Sequence, residues 1–386
     1  MKKIKFLLAL MLLAGCTSEP VDPVEPDDPI VDEVKEDSVV SFMAVGDNLI
    51  HGAIYMDAKA RHGKYEFNDI YEPVTEFVKS YDVAYINQET MLGGTALGLS
   101  HYPMFNSPQE VGEAVVNAGF DWVATSSNHS MDKYEKGILA SIEFWDKYED
   151  VVTTGTNRSA EEAKENKYIV RNGVKFGILG YTYGTNGIDL PKGKDYLVNI
   201  YSKDRIKEDV ERLKGTCDAI LVSMHWGVEY TTKPNAEQKE LAQYLADLGV
   251  LAVIGEHPHV IQPMEYVTGK DGNETLVIYS LGNFLSSQDT AMGMLGGAAS
   301  FDVRKNGETG EITLENVKWY PTVTHYNMGG NFNKGTRNYK VYLLKDYTNE
   351  MAKNHGLNPR VNYVITRDYF INQTNKVIGD KFEIVY

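Results

Sequence analysis

The chain is poor in cysteine: its 386 residues contain only Cys16 and Cys217. Cys16 follows a basic MKKIK and an apolar FLLALMLLAG; were it to carry lipid, no pair would remain for an intramolecular disulfide even in a compartment that permits one. Cys217 precedes the apolar run AILVSM and reads as a small buried residue. Positive charge is also scarce. Lys and Arg number 38 against 54 Asp and Glu, a formal charge of −16. A nucleic-acid partner, which would need a basic face, is not expected. An anionic substrate stays admissible, because bound cations can invert a local field. The FLLALMLLAG stretch is too short to span comfortably as a mature transmembrane helix. No repeat at solenoid periods is present.

What is there begins with a leader. MKKIK and FLLALMLLAG have the form of the n-region and h-region of a secretory signal. Leu13-Ala14-Gly15-Cys16 resembles the bacterial lipobox. This implies loss of residues 1–15, lipidation of Cys16, and a chain held on the extracytoplasmic face of the bacterial cell membrane. Residues 16–38 are acidic and proline-rich without any apolar period, and carry about half of the net charge. They are expected to form an extended, self-repelling tether.

Apolar residues make up 42% of the chain, ordinary for a packed core. The length allows one large domain or two modest ones. From Val39 the pattern alternates. VVSFMAV, VAYIN, DWVATSS, VVTTG, AILVSMHW and VLAVIG read as strands. Residues 70–80, SPQEVGEAVVNAG, KGILASIEFWDKY, residues 203–214 and AEQKELAQYLADLG read as helices, punctuated by Ser-Pro, Gly119 and Gly249. Asn172-Gly173 inside NKYIVRNGVKFGILGY is a two-residue hairpin signal. IQPMEYV, LVIYSLGNF, SFDVRKNGETGEITLENVKWYPT and KVYLL are expected to be mostly antiparallel. The whole predicts an α/β domain over 39–345 with antiparallel C-terminal additions. Residues 346–386 take no assignment.

The chemistry sits where the strand-like runs end, the usual ligand-binding edge of an open α/β sheet. Asp47 follows VVSFMAV and is a hard-cation ligand or a turn aspartate. Glu89 ends VAYINQE and could bridge two cations. Asn128 offers a carbonyl oxygen, and His129 a metal ligand or a general acid, with Asp132 close enough in sequence to orient its ring. His225 ends AILVSMH. His257 and His259, stiffened by Pro258, share a face on an extended segment and serve one metal or one each of a pair. Trp226 and Tyr230 are expected to wall the pocket, and with Glu229 and Asn283 they make the expected substrate-binding set. Such a mixed set of imidazoles, carboxylates and an amide suits Mn, Zn or Fe. Two such ions would activate water for hydrolysis, most naturally of a phosphoester.

From Ser41 to Phe284 the motifs VGD, NQE, SNH, HWGVE, GEHPH and YSLGNF together resemble the capsule-synthesis CapA family, involved in poly-γ-glutamate production. That family is similar to calcineurin-like metallophosphoesterases. The resemblance implies a four-layer αββα sandwich with a di-metal site. It implies Asp47, Glu89 and His259 on one metal, and Glu89, Asn128, His225 and His257 on the second. His129 would lie over the leaving group. Two positions depart from the phosphoesterase pattern. Leu49 stands where an imidazole is usual, with His51 two residues too late, and Glu89 stands where Asp is usual. Metal binding is therefore a firmer expectation than any particular hydrolysis. Two functions follow: a lipid-anchored hydrolase of a phosphoester or polymer amide, or a non-catalytic accessory to polymer synthase or exporter subunits. A solute-binding lipoprotein shares the anchor but does not account for His-Pro-His.

Overall fold

The computed structural model of the protein describes residues 36–327 and 337–386. The leader, Cys16 and the tether up to residue 35 lie outside the described residues. Among the described residues no helix is long and apolar enough to cross a membrane.

The chain opens with β1 (Ser38–Asn48), α1 (Gly52–His62), α2 (Asn68–Lys79), β2 (Val83–Asn87), α3 (Glu110–Ala118), β3 (Trp122–Ala124), α4 (Tyr134–Trp145) and β4 (Val152–Thr154). Next come β5 (Lys167–Arg171), β6 (Val174–Thr182), α5 (Lys203–Leu213), β7 (Ala219–His225), α6 (Ala236–Asp247), β8 (Ala252–Glu256), β9 (Met264–Thr268) and β10 (Glu274–Ile278). The rest is β11 (Asn283–Leu285), β12 (Leu295–Lys305), β13 (Ile312–His325), β14 (Lys340–Leu343), α7 (Asn349–Lys353), α8 (Arg367–Ile378) and β15 (Glu383–Ile384). One sheet runs β14-β13-β12-β1-β2-β3-β4, with β11 beside β1 and β15 beside β13. The other runs β5-β6-β7-β8-β10-β9.

The strands at the centre of each sheet are apolar throughout because both of their faces are covered. In β7, Ile220, Val222 and Met224 pack under α5 and α6, while Leu221 belongs to the core between the sheets. Tyr85 of β2 crosses that interface to hydrogen-bond Ser223 of β7 and Glu256 of β8. Buried side chains of α1 to α4 join the same principal core as the first sheet. The result is the αββα sandwich. The hairpin expected at Asn172-Gly173 joins β5 and β6 with φ of 47° and 78°, the left-handed pair of a type I′ turn.

As expected, the late strands are mostly antiparallel: β12 pairs in this way with β1 and β13, β13 with β14, and β10 with β9. The exceptions are β10 beside β8, β11 beside β1 and β15 beside β13, which run parallel. Residues 346–386 are folded onto the principal core, with Leu357, Ile365, Phe370 and Ile378 buried in it. His355 fastens this segment. Its Nε2–H donates to the Thr324 carbonyl at 3.0 Å and its Nδ1 accepts from the Leu357 N–H at 3.0 Å. Burial and neighbouring His325 push its pKa down to about 4. The folded state therefore needs the neutral ring. This contribution is complete above the unfolded value near 6.5 and is lost as pH falls towards 4, about 3 kcal/mol by pH 4. His355→Gln keeps a donor and an acceptor without the titration. It is expected to flatten the acid side of a stability-versus-pH curve measured by urea unfolding. An unchanged slope would show that the ring is not held neutral.

Candidate metal centre

Parallel register brings the site together. In the first sheet Asp47 of β1 lies opposite Asn87 of β2, and in the second His225 of β7 lies opposite Glu256 of β8. The segments leaving those four positions carry Glu89 and the His257–His259 pair. Asn128 and His129 arrive from the loop after β3. Asp47, Glu89, Asn128, His129, His225, His257 and His259 are all buried.

Asp47 Oδ2 lies 3.0 Å from His259 Nδ1, and Asn87 Nδ2 donates to Asp47 Oδ1 at 2.8 Å. Donor atoms of Asp47, Glu89 and His259 all fall within 4.8 Å of one another. His225 Nε2 lies 3.0 Å from Asn128 Oδ1. About 3 Å is the spacing of adjacent donors in an octahedral shell with bonds of about 2.1 Å. The His225 and His257 ring centroids are 4.8 Å apart.

The electrostatics favour a cation. Both Glu89 carboxylate oxygens are buried with no hydrogen-bond partner, and so is His257 Nδ1. A buried charge or lone pair without a partner is costly, and a divalent ion supplies the missing partner. Burial, with repulsion from Asp47, pushes the Glu89 carboxyl well above its ordinary range. Against the effect of its burial, Glu89 and Asp47 raise His259 to about 9. The Asp47–Glu89–His259 triad thus retains a proton near neutrality that a metal would displace. Burial and the surrounding imidazoles hold His225 well below its usual value and His257 at about 3. Both rings are neutral and can ligate. Asp47, Glu89 and His259 form a donor group that fits a cation.

His129 stands beside this cluster. Its Nδ1 donates to Asp132 Oδ2 at 2.7 Å, which leaves Nε2 for proton exchange. The Phe105 N–H also donates to Asp132 Oδ2, and the Phe105 ring meets the imidazole edge-on at 4.7 Å.

The expected substrate-binding set divides. Tyr230 is exposed, with its ring 6.0 Å from His259, and Glu229 is exposed beside it. Trp226 does not wall the pocket. Its neighbour His225 points between the sheets, so strand alternation sends Trp226 the other way. There it is fully buried beneath α5 and α6, donating from Nε1 to the Tyr279 carbonyl at 2.9 Å. Asn283 is also turned inward. It is fully buried, its Nδ2 donates to the His259 and Gly293 carbonyls, and its Oδ1 faces His259 Nδ1 at 3.1 Å. It orients His259. Glu256 faces the intersheet core under the Tyr85 hydroxyl, where burial drives its carboxyl well above the ordinary range.

Leu49 is buried and can donate nothing at its position. Nearby His51 is pushed down to about 4 by burial, with further repulsion from His259 and His129. Two residues that frame the centre escaped sequence reading. The Tyr183 ring lies 4.8 Å from His257, and Asn186 accepts from Asn128 Nδ2 at 3.3 Å. Both follow β6, so the strand-end rule used elsewhere would have found them had it been applied to FGILGYT.

The family described as "Bacterial capsule synthesis protein PGA_cap" matches residues 41–288. Curated relatives include the capsule biosynthesis protein CapA of Bacillus anthracis, 30% identical over 211 residues. They also include the PGA biosynthesis protein CapA of Bacillus subtilis (strain 168), 30% identical over 199 residues. These alignments cover 52% and 49% of this chain and 49% and 48% of the relatives, so the chain spans about half their length. Among solved structures, a phosphatase from Mycoplasma pneumoniae superposes with a TM-score of 0.45 at 16% identity, over 74% of this chain and 94% of that one. A 5'-nucleotidase precursor from Thermus thermophilus superposes at 0.44 and 11%, over 72% and 54%.

Proposed function

Since the chain belongs to the bacterial capsule synthesis protein family PGA_cap, we propose that it is a metal-dependent hydrolase acting in capsule or poly-γ-glutamate synthesis or export. We place it on the extracytoplasmic face of the membrane, held through lipidated Cys16. Its substrate would be an anionic polymer or a phosphoester. The observation that carries this reading is the Glu89 carboxylate, buried without a hydrogen bond and grouped with Asp47 and His259. In this reading Asp47, Glu89 and His259 hold one divalent cation, and Glu89, Asn128, His225 and His257 a second, with Mn, Zn or Fe the ions that suit such donors. Cations bound there polarise a phosphoryl or carbonyl oxygen and lower the pKa of water.

The rest is the work of side chains. Asn283 fixes the His259 ring, and Asn87 fixes Asp47. Asp132 accepts the His129 Nδ1–H and stabilises the doubly protonated ring, whose Nε2–H would pass its proton to the leaving oxygen and leave the neutral imidazole. Tyr183 and Tyr230 flank the opening and limit water.

Metal analysis of the full chain, with His257→Ala and His225→Ala alongside, is the direct test, followed by a screen on phosphodiesters and on polyglutamate. We expect bound transition metal that both substitutions lower. Asp132→Asn is expected to slow turnover about 10- to 100-fold with metal content unchanged. Wild-type protein that binds no transition metal under gentle purification sinks the proposal. Leu49 in place of an imidazole favours a second reading, a non-catalytic accessory of a polymer synthase or exporter complex. Bound metal with inactivity on both substrate classes would select it.

A further inference from the structure

The turn after β7 carries Glu229, a carboxylate read from the sequence as a substrate contact and given no part in the metal centre above. Glu229 is exposed. Yet one of its carboxylate oxygens, a ring nitrogen of His257 and a ring nitrogen of His259 lie within 4.8 Å of one another. This group meets the Asp47–Glu89–His259 group only at His259.

Donor chemistry separates this group from a solvated surface acid. His257 is 3% exposed and its Nδ1 is buried without a hydrogen-bond partner. An imidazole nitrogen in that state needs a proton donor or a cation. The turn bearing Glu229 is also tied to the segment bearing the histidines. The Trp226 N–H donates to the Glu256 carbonyl at 3.1 Å and the Tyr230 N–H to the Pro258 carbonyl at 2.8 Å. Gln262 Nε2 donates to the Thr231 carbonyl at 2.7 Å. The carboxylate and the two imidazoles are therefore presented by one connected piece of backbone. Donors of one cation with bonds of about 2.0–2.2 Å lie no more than about 4.4 Å apart. The three donors lie within 4.8 Å of one another, close to that limit, and the exposed glutamate side chain is free to adjust.

We propose that Glu229 is a metal ligand, the solvent-side carboxylate that closes the His257–His259 face of the centre over a bound cation. The inference rests on the metal-centre reading and changes its ligand set. The centre gains an anionic oxygen donor, between His257 and His259, outside the positions the resemblance supplies. That donor is the most exposed of the set, so it is also the one an anionic substrate oxygen could displace.

The test is a Co²⁺ titration of the full chain in detergent micelles. It follows the d–d absorption band and competes the metal against a chromophoric chelator. Wild type is expected to show two affinities. In Glu229→Gln one of them should weaken at least about 10-fold with a shifted band, while the other holds. Glu229→Asp, which keeps the charge on a shorter arm, should fall between. An exposed side chain can be exchanged without disturbing the core, and matching circular dichroism spectra would exclude misfolding. Unchanged affinities and an unchanged band in Glu229→Gln overturn the inference, and altered substrate affinity in that case would mark Glu229 as a substrate contact. Wild type that takes up no Co²⁺ overturns the metal centre itself and this inference with it.

Discussion

Replacing Glu89 with glutamine should abolish metal-induced stabilisation while making the metal-free protein more stable. Both carboxylate oxygens of Glu89 are buried without a hydrogen bond, one of them 3.6 Å from His259 Nε2, and burial drives the group towards its neutral form. A group left unsatisfied in the interior costs about 1–3 kcal/mol. The fold tolerates that cost only where something else uses the group, and functional sites are where such strain collects. Glutamine carries no charge into this space, and its amide can donate to Asp47. Metal-free Glu89→Gln is therefore expected to gain about 1 kcal/mol or more, read by urea unfolding in chelator. The same variant should lose at least about 100-fold in affinity for divalent metal, since a bridging carboxylate is a direct ligand and even outer partners matter 10- to 100-fold. Melting with and without Mn²⁺ separates the two effects. If the metal-induced shift survives the substitution, Glu89 is not a ligand.

The second large effect is steric. A Cβ on Gly46 would stand 1.9 Å from the Gly282 carbonyl oxygen and 3.0 Å from Leu281 Cβ. The same carbonyl accepts the Asp47 N–H at 2.9 Å. Gly46→Ala must push β1 away from the turn before β11. That breaks this bond and shifts Asp47 against His259. Overpacking of this kind costs about 1–3 kcal/mol and the lost hydrogen bond about 1 more, so a total of about 2–4 kcal/mol is expected in denaturant unfolding. Metal affinity should fall along with stability. A near-neutral Gly46→Ala would mean that the two backbones are not in contact there.

Much of this was legible along the chain. The central strands are apolar on both faces, so AILVSM and VAYIN announce themselves without any neighbour. Their ends show an abrupt change to polar residues, and there Asp47, Glu89, Asn128 and the histidines stand. The type I′ pair at Asn172-Gly173 is equally local, because the turn demands positive φ at both positions. Helix α1 was less visible, since its residues GAIYMDAKARH mix small, polar and apolar types without a clean period. Residues 346–386 look polar but bury Leu357, Ile365, Phe370 and Ile378 at spacings too irregular to read as one face.

The sequence alone determined which side chains could do chemistry and that they stand at strand ends, because strand period, turn geometry and ligand type are local properties. Tertiary structure decided which way each one points and what it meets. His225 and Trp226 are neighbours in sequence, yet one enters the centre and the other the core under α5 and α6, because the pleat reverses between them. Asn283 became a support for His259 only through hydrogen bonds to a segment more than twenty residues away. Glu229, exposed and ordinary in the string HWGVEY, came within reach of two imidazoles because backbone bonds tie its turn to theirs. Partners brought together by packing leave no periodic mark in the chain, so they could be found only once the sheets were in place.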